Sequence, residues 1–342
     1  MSRLNDDWDD LYQDLDDMPA SRAAGRLRGL NRPAKGKKKG PSRPAPAPQP
    51  VGGDEEEFKF SYQASRYEEG WLLQSLDEFY RLHWFDDLLR LIKGGKEASV
   101  YQVKGNQTTG ERYLAAKVYR PRKFRSLRND HLYREGREDL DGDGHLITDD
   151  RMLRAMRKRT AFGRELLHTS WLEHEFKTMQ ILFEAGADVP RPYASAGNAI
   201  LMSYLGDDEL GAPALSEVEL EPGEARELYQ RVVWNIELML ASSRVHGDLS
   251  AYNILYHQGR IMLIDFPQAM NTRQNHNTYR VFQRDVARVC AYFARFGVAE
   301  DAWRLAEKLW SAQRLRSLPE IDPRYLDEES ETDRALWRGR RA

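Results

Sequence analysis

His246-Gly247-Asp248-Leu249-Ser250-Ala251-Tyr252-Asn253, followed by Ile264-Asp265-Phe266, is the stretch on which the reading of this chain turns. Phosphoryl transfer needs a carboxylate to orient or deprotonate the attacking hydroxyl, oxygen ligands to hold a divalent metal against a triphosphate, and cations to offset charge. Asp248 lies on a loop after an apolar helical pattern, which suits the first task. Asn253, five residues on, can turn back to a metal on the same loop. Asp265 closes an apolar run that returns from a turn at Gln258-Gly259, so a second hard oxygen ligand comes back to the same place. An Asp-x4-Asn spacing is weak alone. Joined to the downstream Asp-Phe it supplies the oxygen groups this chemistry needs, and two polar surface turns are the plainer alternative.

Upstream, Lys117 sits in the run Tyr113 to Tyr119, with Ala115, Lys117 and Tyr119 on one face and Leu114, Ala116 and Val118 on the other. A lysine buried there needs an anionic partner, either nucleotide phosphate or a glutamate on the next helix. Glu175 is the expected glutamate, with Glu173 as the fallback. The alternative is an edge lysine that reaches out to water. Before it, Gly94-Gly95-Lys96-Glu97-Ala98-Ser99-Val100 lacks the three-glycine pattern but permits a tight turn. Ser99 and Lys96 are candidate phosphate contacts, and Val100 and Ala115 a small apolar roof over adenine.

Periodicity orders the rest. The expected helices run over 67–92, 171–185, 224–242, 284–296 and 300–313, and the expected strands over 99–104, 113–119, 200–205, 254–256 and 261–264. Leu172, Phe176, Met179 and Phe183 form the expected buried stripe of the second helix. Strands gather early and helices late, so the fold class is α+β and two-lobed. The expected organisation is an acidic, basic and Pro-rich arm over 1–57, a helical extension over 58–93, a first lobe over 94–206 with a flexible insertion at 120–164, a second lobe over 207–317 and a charged tail over 318–342. Asp139, Asp141, Asp143, His145 and Asp150 follow the spacing of a calcium loop, but position twelve is Asp150 where glutamate is usual; an acidic solvated loop is the alternative.

Composition narrows the function. The formal net charge is -2 over 342 residues, 41% of them hydrophobic, so a core is available without a strong overall charge. Cys290 is the one cysteine, which excludes an intrachain disulfide. No run approaches the roughly 20 apolar residues of a membrane span, and the start, with Asp6, Asp7, Asp9 and Asp10, does not read as a signal peptide. The expected setting is cytoplasmic. The basic arm at 22–43 is a candidate RNA contact or a solubilising tail.

The motifs Gly95-Lys96-Glu97-Ala98-Ser99-Val100-Tyr101, His246 to Tyr256 and Leu263-Ile264-Asp265-Phe266-Pro267-Gln268 resemble the RIO family of atypical serine/threonine protein kinases. The first motif and Leu249-Ser250 resemble the RIO1 branch, and the Ile-Asp-Phe-Pro-Gln run the RIO2 branch; a bacterial RIO1-like member is the expectation. The resemblance implies a trimmed kinase fold using ATP with Mg²⁺ or Mn²⁺, autophosphorylation on serine, and ATPase cycling through a phosphorylated Asp265. It implies Asp248 as the catalytic aspartate, Asn253 and Asp265 as metal ligands, Met202 as the gatekeeper, and Ser203 to Leu205 as the hinge that meets adenine. It implies a protein substrate, the chain itself among them, and a part in maturation of the small ribosomal subunit. The usual arginine before the catalytic aspartate is replaced by Gly247. Two rivals share parts of the pattern. One is a small-molecule kinase of the aminoglycoside or choline type; the other is an ATPase-driven switch that binds ribosomal RNA.

Overall fold

A computed structural model describes residues 58–95, 97–120, 137–274 and 278–315. Helix α1 (Arg66–Arg81) begins at a capping box in which Ser65 and Glu68 satisfy each other's backbone donors. It buries Leu72, Leu76 and Phe79 as the 3.6-residue period predicts. The expected continuation of this helix to residue 92 is wrong. The chain turns at His83, whose φ of 54° is left-handed, and enters strand β1 (Phe85–Gly94). Phe85, Leu88 and Ile92 are spaced as a helical stripe, but pairing with β2 (Ala98–Gly105), through register shifts that break the period of two, makes the segment a strand. Strand β3 (Tyr113–Tyr119) follows in register with β2, Val100 opposite Lys117.

Helix α2 (Asp150–Arg157), capped by the Asp149 carboxylate, lies inside the segment read as an insertion. Helix α3 (Ala161–Glu184) starts ten residues before the expected Trp171. The early turns of α3 bury no large apolar side chain, Phe162 being exposed, so they form no inward stripe, but Thr160 caps them by accepting from Gly163 N–H. The stripe also differs in one member: Leu182 is buried, while Phe183 is exposed.

Strands β4 (Pro192–Ala196) and β5 (Ala199–Ser203) complete a five-stranded antiparallel sheet of order β1-β2-β3-β5-β4. One face of β3 packs Leu114, Ala116 and Val118 with α1, and the other packs Ala115 and Tyr119 with α3, as the alternation predicts. The second lobe consists of α4 (Pro222–Ala241), the short strand β6 (Arg244–Val245), the hairpin β7 (Ile254–His257) and β8 (Arg260–Leu263), strand β9 (Met270–Asn271) paired with β6, and helices α5 (Thr278–Ala294) and α6 (Ala302–Ala312). All five inward residues expected of α4, Leu228, Val232, Ile236, Met239 and Leu240, are buried. The hairpin turns at Gln258 and Gly259, both at positive φ. No helix of the described residues is long and apolar enough to cross a membrane.

Candidate active site

The sheet delivers Lys117 to its α3 face, 8% exposed. Its Nζ lies 2.6 Å from Glu175 Oε1 and 2.7 Å from Asp265 Oδ1. Glu175, the first-choice glutamate, is 1% exposed and also accepts from the Tyr119 hydroxyl and, at 3.4 Å, from Phe266 N–H. The lysine is therefore neither exposed nor an edge residue. Burial alone would lower the Lys117 ammonium, yet Asp265 and Glu175 hold it well above its ordinary range. Desolvation alone would raise Asp265, and Lys117 outweighs it, so the carboxyl stays below its usual value and ionised. Asp265 sits at φ 73°, a left-handed position that turns the chain sharply after β8.

Glu173, the fallback, occupies another place. Its Oε1 accepts from Ser195 Oγ at 2.8 Å. Burial, and beyond it the charges of Asp141 and Asp143, push its carboxyl up to about 7.

The Asp248 loop is fixed by four neighbours. Asp285 Oδ2 accepts Gly247 N–H at 2.9 Å, and burial raises Asp285 to about 6. Arg284 donates to the Gly247 carbonyl. Asp248 N–H donates to His246 Nδ1 at 3.3 Å, while His246 Nε2 faces Ile264 O at 3.1 Å. This pattern makes His246 the neutral Nε2–H tautomer, in keeping with burial that lowers its pKa. His246 therefore bridges the loop to the strand end that bears Asp265. The loop glycine is obligatory: Gly247 has φ +86°, and a Cβ there would stand 2.1 Å from Gln268 O.

Asn253 Nδ2 donates to Asp248 O at 2.9 Å, and its Oδ1 remains as an acceptor. With the Asp265 carboxylate, 44% exposed, this gives two hard oxygen donors, the chemistry that Mg²⁺ takes. Two residues of this site carried no local signal. Arg288 of α5 holds Asp248 Oδ1 at 2.7 Å, and Lys93 of β1 contributes positive charge at Asp265.

Val100 and Ala115 lie on the Lys117 face of the sheet, where a roof over a base is expected. Met202 pairs with Ala115, so the expected gatekeeper borders the same face, whereas Ser203, paired with Leu114, turns its side chain to the opposite one and leaves only its backbone to the hinge. The Leu205 carbonyl already accepts from Ala212 N–H at 2.9 Å. Ser99 corrects the expectation: it is buried beside Val118 on the opposite face and bonded by Arg120 at 3.3 Å, so its hydroxyl does not share the Lys117 side. Gly95 N–H closes a tight turn on Ala98 O at 3.0 Å; Lys96 lies outside the described residues, as does the basic arm.

The acidic loop also differs from expectation. Asp141, Asp143 and His145 bring ligand atoms within 4.8 Å of one another. The loop closes on itself through Ile147 N–H to Asp139 O at 2.8 Å, however, and Asp150 opens α2. Asp139 and Asp150, the first and twelfth positions of the spacing, are not among the grouped ligands.

A model of the RIO domain matches residues 99–305. The chain belongs to the RIO domain family. Relatives of this RIO domain include the RIO-type serine/threonine-protein kinase Rio1 of Haloferax volcanii, 31% identical over 63% of this chain and 66% of that protein. The Rio1 kinase of Thermoplasma acidophilum is 28% identical over 58% of this chain and 94% of its own length. The rio1 kinase of Schizosaccharomyces pombe is 28% identical over 60% of this chain but only 37% of itself. The RIO domain here thus spans little more than a third of the yeast relative. Its α+β, kinase-like architecture is the one expected.

Proposed function

We propose that this chain is an ATP-dependent serine/threonine protein kinase that also phosphorylates itself. The carrying observation is that Lys117 is bonded to both Glu175 and Asp265, and that His246 ties the Asp265 strand to the Asp248–Asn253 loop. In this reading Lys117 holds the nucleotide phosphates, and Asp248 orients the acceptor hydroxyl and takes its proton. Arg288 fixes the Asp248 carboxylate. Asn253 and Asp265 would hold Mg²⁺ or Mn²⁺, which when bound neutralises triphosphate oxygens. Val100, Ala115 and Met202 would enclose adenine, with the backbone from Ser203 to Leu205 beside it. Relatives named serine/threonine kinases support the reading.

The test is incubation of the full chain with γ-labelled ATP and Mg²⁺, following protein-bound label and free phosphate together. Loss of both in Asp248→Ala and in Asp265→Ala is expected. Transfer to small alcohols or aminoglycosides without self-labelling would replace the reading by a small-molecule kinase. Acid-stable label indicates phosphoserine, and acid-labile label indicates phosphorylated Asp265 and ATPase cycling. Partnership with the small ribosomal subunit through the arm at 22–43 rests on family resemblance alone, and filter binding of ribosomal RNA to the full chain and to a chain lacking residues 1–57 tests it.

A further inference from the structure

A cleft of about 50 Å³, not lined by Lys117, lies between α3, the segment that leads into the acidic loop, and the β6–β9 ribbon. That is several times the space one water needs. Its cations are Arg137, Lys177 and Arg244, against the single carboxylate of Glu138; His174 and Thr178 also line it.

Three features make this more than a polar crevice. Arg244 Nη1 donates to Ser243 O at 3.2 Å, but its Nε is buried with no acceptor. Among the described residues no carboxylate forms a salt bridge with Arg244, and only the charge of Glu138 acts on it. Thr178 is 1% exposed, and its Oγ1 likewise has no partner. Lys177 Nζ sits 3.4 Å from Glu138 Oε2, which uses one of three ammonium donors. Burial first, then the charge of Arg137 with Arg244 and Lys177 behind it, keeps His174 neutral and well below its ordinary pKa. A buried guanidinium donor without an acceptor costs on the order of 1–3 kcal/mol. Among the described lining residues, Lys177 and Arg244 face the one carboxylate of Glu138, so positive charge predominates. A compact dianion with several acceptor oxygens balances it and satisfies both orphaned donors.

We propose that this cleft binds a phosphate monoester dianion, with Arg244 Nε–H and Thr178 Oγ–H as donors and Lys177 and Arg137 supplying charge. The bound group would join β9 and the segment after Asp265 to the helix that carries Glu175. Lys177 stands two residues from Glu175 on α3, so occupancy braces the helix behind the Lys117 pair.

The experiment uses the full chain labelled with ¹⁵N-arginine. The Arg244 Nε–H resonance is assigned from its loss in Arg244→Lys. Inorganic phosphate is then titrated at constant ionic strength. A saturable shift of that resonance is expected. It should weaken about tenfold in Thr178→Val and in Lys177→Gln, and be unchanged in Asp248→Ala, which separates this cleft from the proposed site of phosphoryl transfer. In a second arm the chain is incubated with Mg-ATP and desalted. A bound-position resonance that reverts on phosphatase treatment identifies a phosphoryl group on the chain as the ligand; a response to added phosphate alone identifies the free ion. Either supports the proposal. No saturable shift up to about 20 mM phosphate and none after ATP treatment overturns it, as does an equal shift with chloride, or unchanged affinity in Thr178→Val and Lys177→Gln.

Discussion

Lys117 and Asp265, 148 residues apart in the chain, meet at 2.7 Å. The same ammonium stands 2.6 Å from Glu175, so one cation serves a buried carboxylate and a half-exposed one. The two contacts differ in kind. Glu175 has no access to water and depends on Lys117, whereas Asp265 can exchange its partner for solvent or for a metal.

Removal of the lysine should therefore cost stability as well as chemistry. Lys117→Met leaves Glu175 charged and buried, a loss of about 3–5 kcal/mol. Replacing both groups by apolar ones, Lys117→Met with Glu175→Leu, should restore most of that while phosphoryl transfer stays absent. Urea unfolding beside a labelled-ATP assay checks both halves. A stable, fully active single variant would remove Lys117 from the site.

Gly247→Ala meets two obstacles, the left-handed φ of +86° and the Gln268 carbonyl 2.1 Å from the new Cβ. The expected destabilisation exceeds about 2 kcal/mol. Gly223→Ala, where nothing lies within 4 Å, is the control and should be neutral or stabilising. Thermal unfolding of the pair measures the difference.

Glu173 predicts a pH dependence. Its carboxyl rises from 4.5 to about 7 on folding. The folded state then holds the proton more tightly than the unfolded chain, so this stabilisation is complete below pH 4.5 and fades as pH rises through about 7. Glu173→Gln keeps an acceptor for Ser195 and cannot ionise. It should match the wild type near pH 4 and exceed it at pH 8 by up to about 3 kcal/mol. Melting curves across that range test the sign, and a variant less stable than wild type at pH 8 contradicts it.

Arg288 and Asp248 are each 42% exposed, so their ion pair contributes only about 0–1 kcal/mol to stability. Its value is orientation. Arg288→Gln should unfold near the wild-type temperature yet slow phosphoryl transfer roughly tenfold. Autophosphorylation rates and melting curves on one preparation separate the two effects.

Local chemistry explains what could be read in advance. β3 was legible because a period of two leaves little other choice for Tyr113–Tyr119, and its faces divide as that pattern requires. The Asp248 loop and the β7–β8 hairpin carry their own turn residues. β1 looks helical by local spacing because Phe85, Leu88 and Ile92 are three and four residues apart, and only long-range pairing makes it a strand. Ser99 was misplaced by one step of the pleat, which moves a side chain to the other face. Arg288, Lys93 and Arg244 leave no trace in pattern, since each acts on a residue that folding brings near.

The three register shifts between β1 and β2 carry a final consequence. β1 forms one margin of the five-stranded sheet, and β4, only five residues long and opening on Pro192, forms the other. A broken, twisted margin and a short one that lacks a donor at its start make poor templates for a foreign strand. The sheet that carries Lys117 is thereby guarded against growing sideways into fibrils.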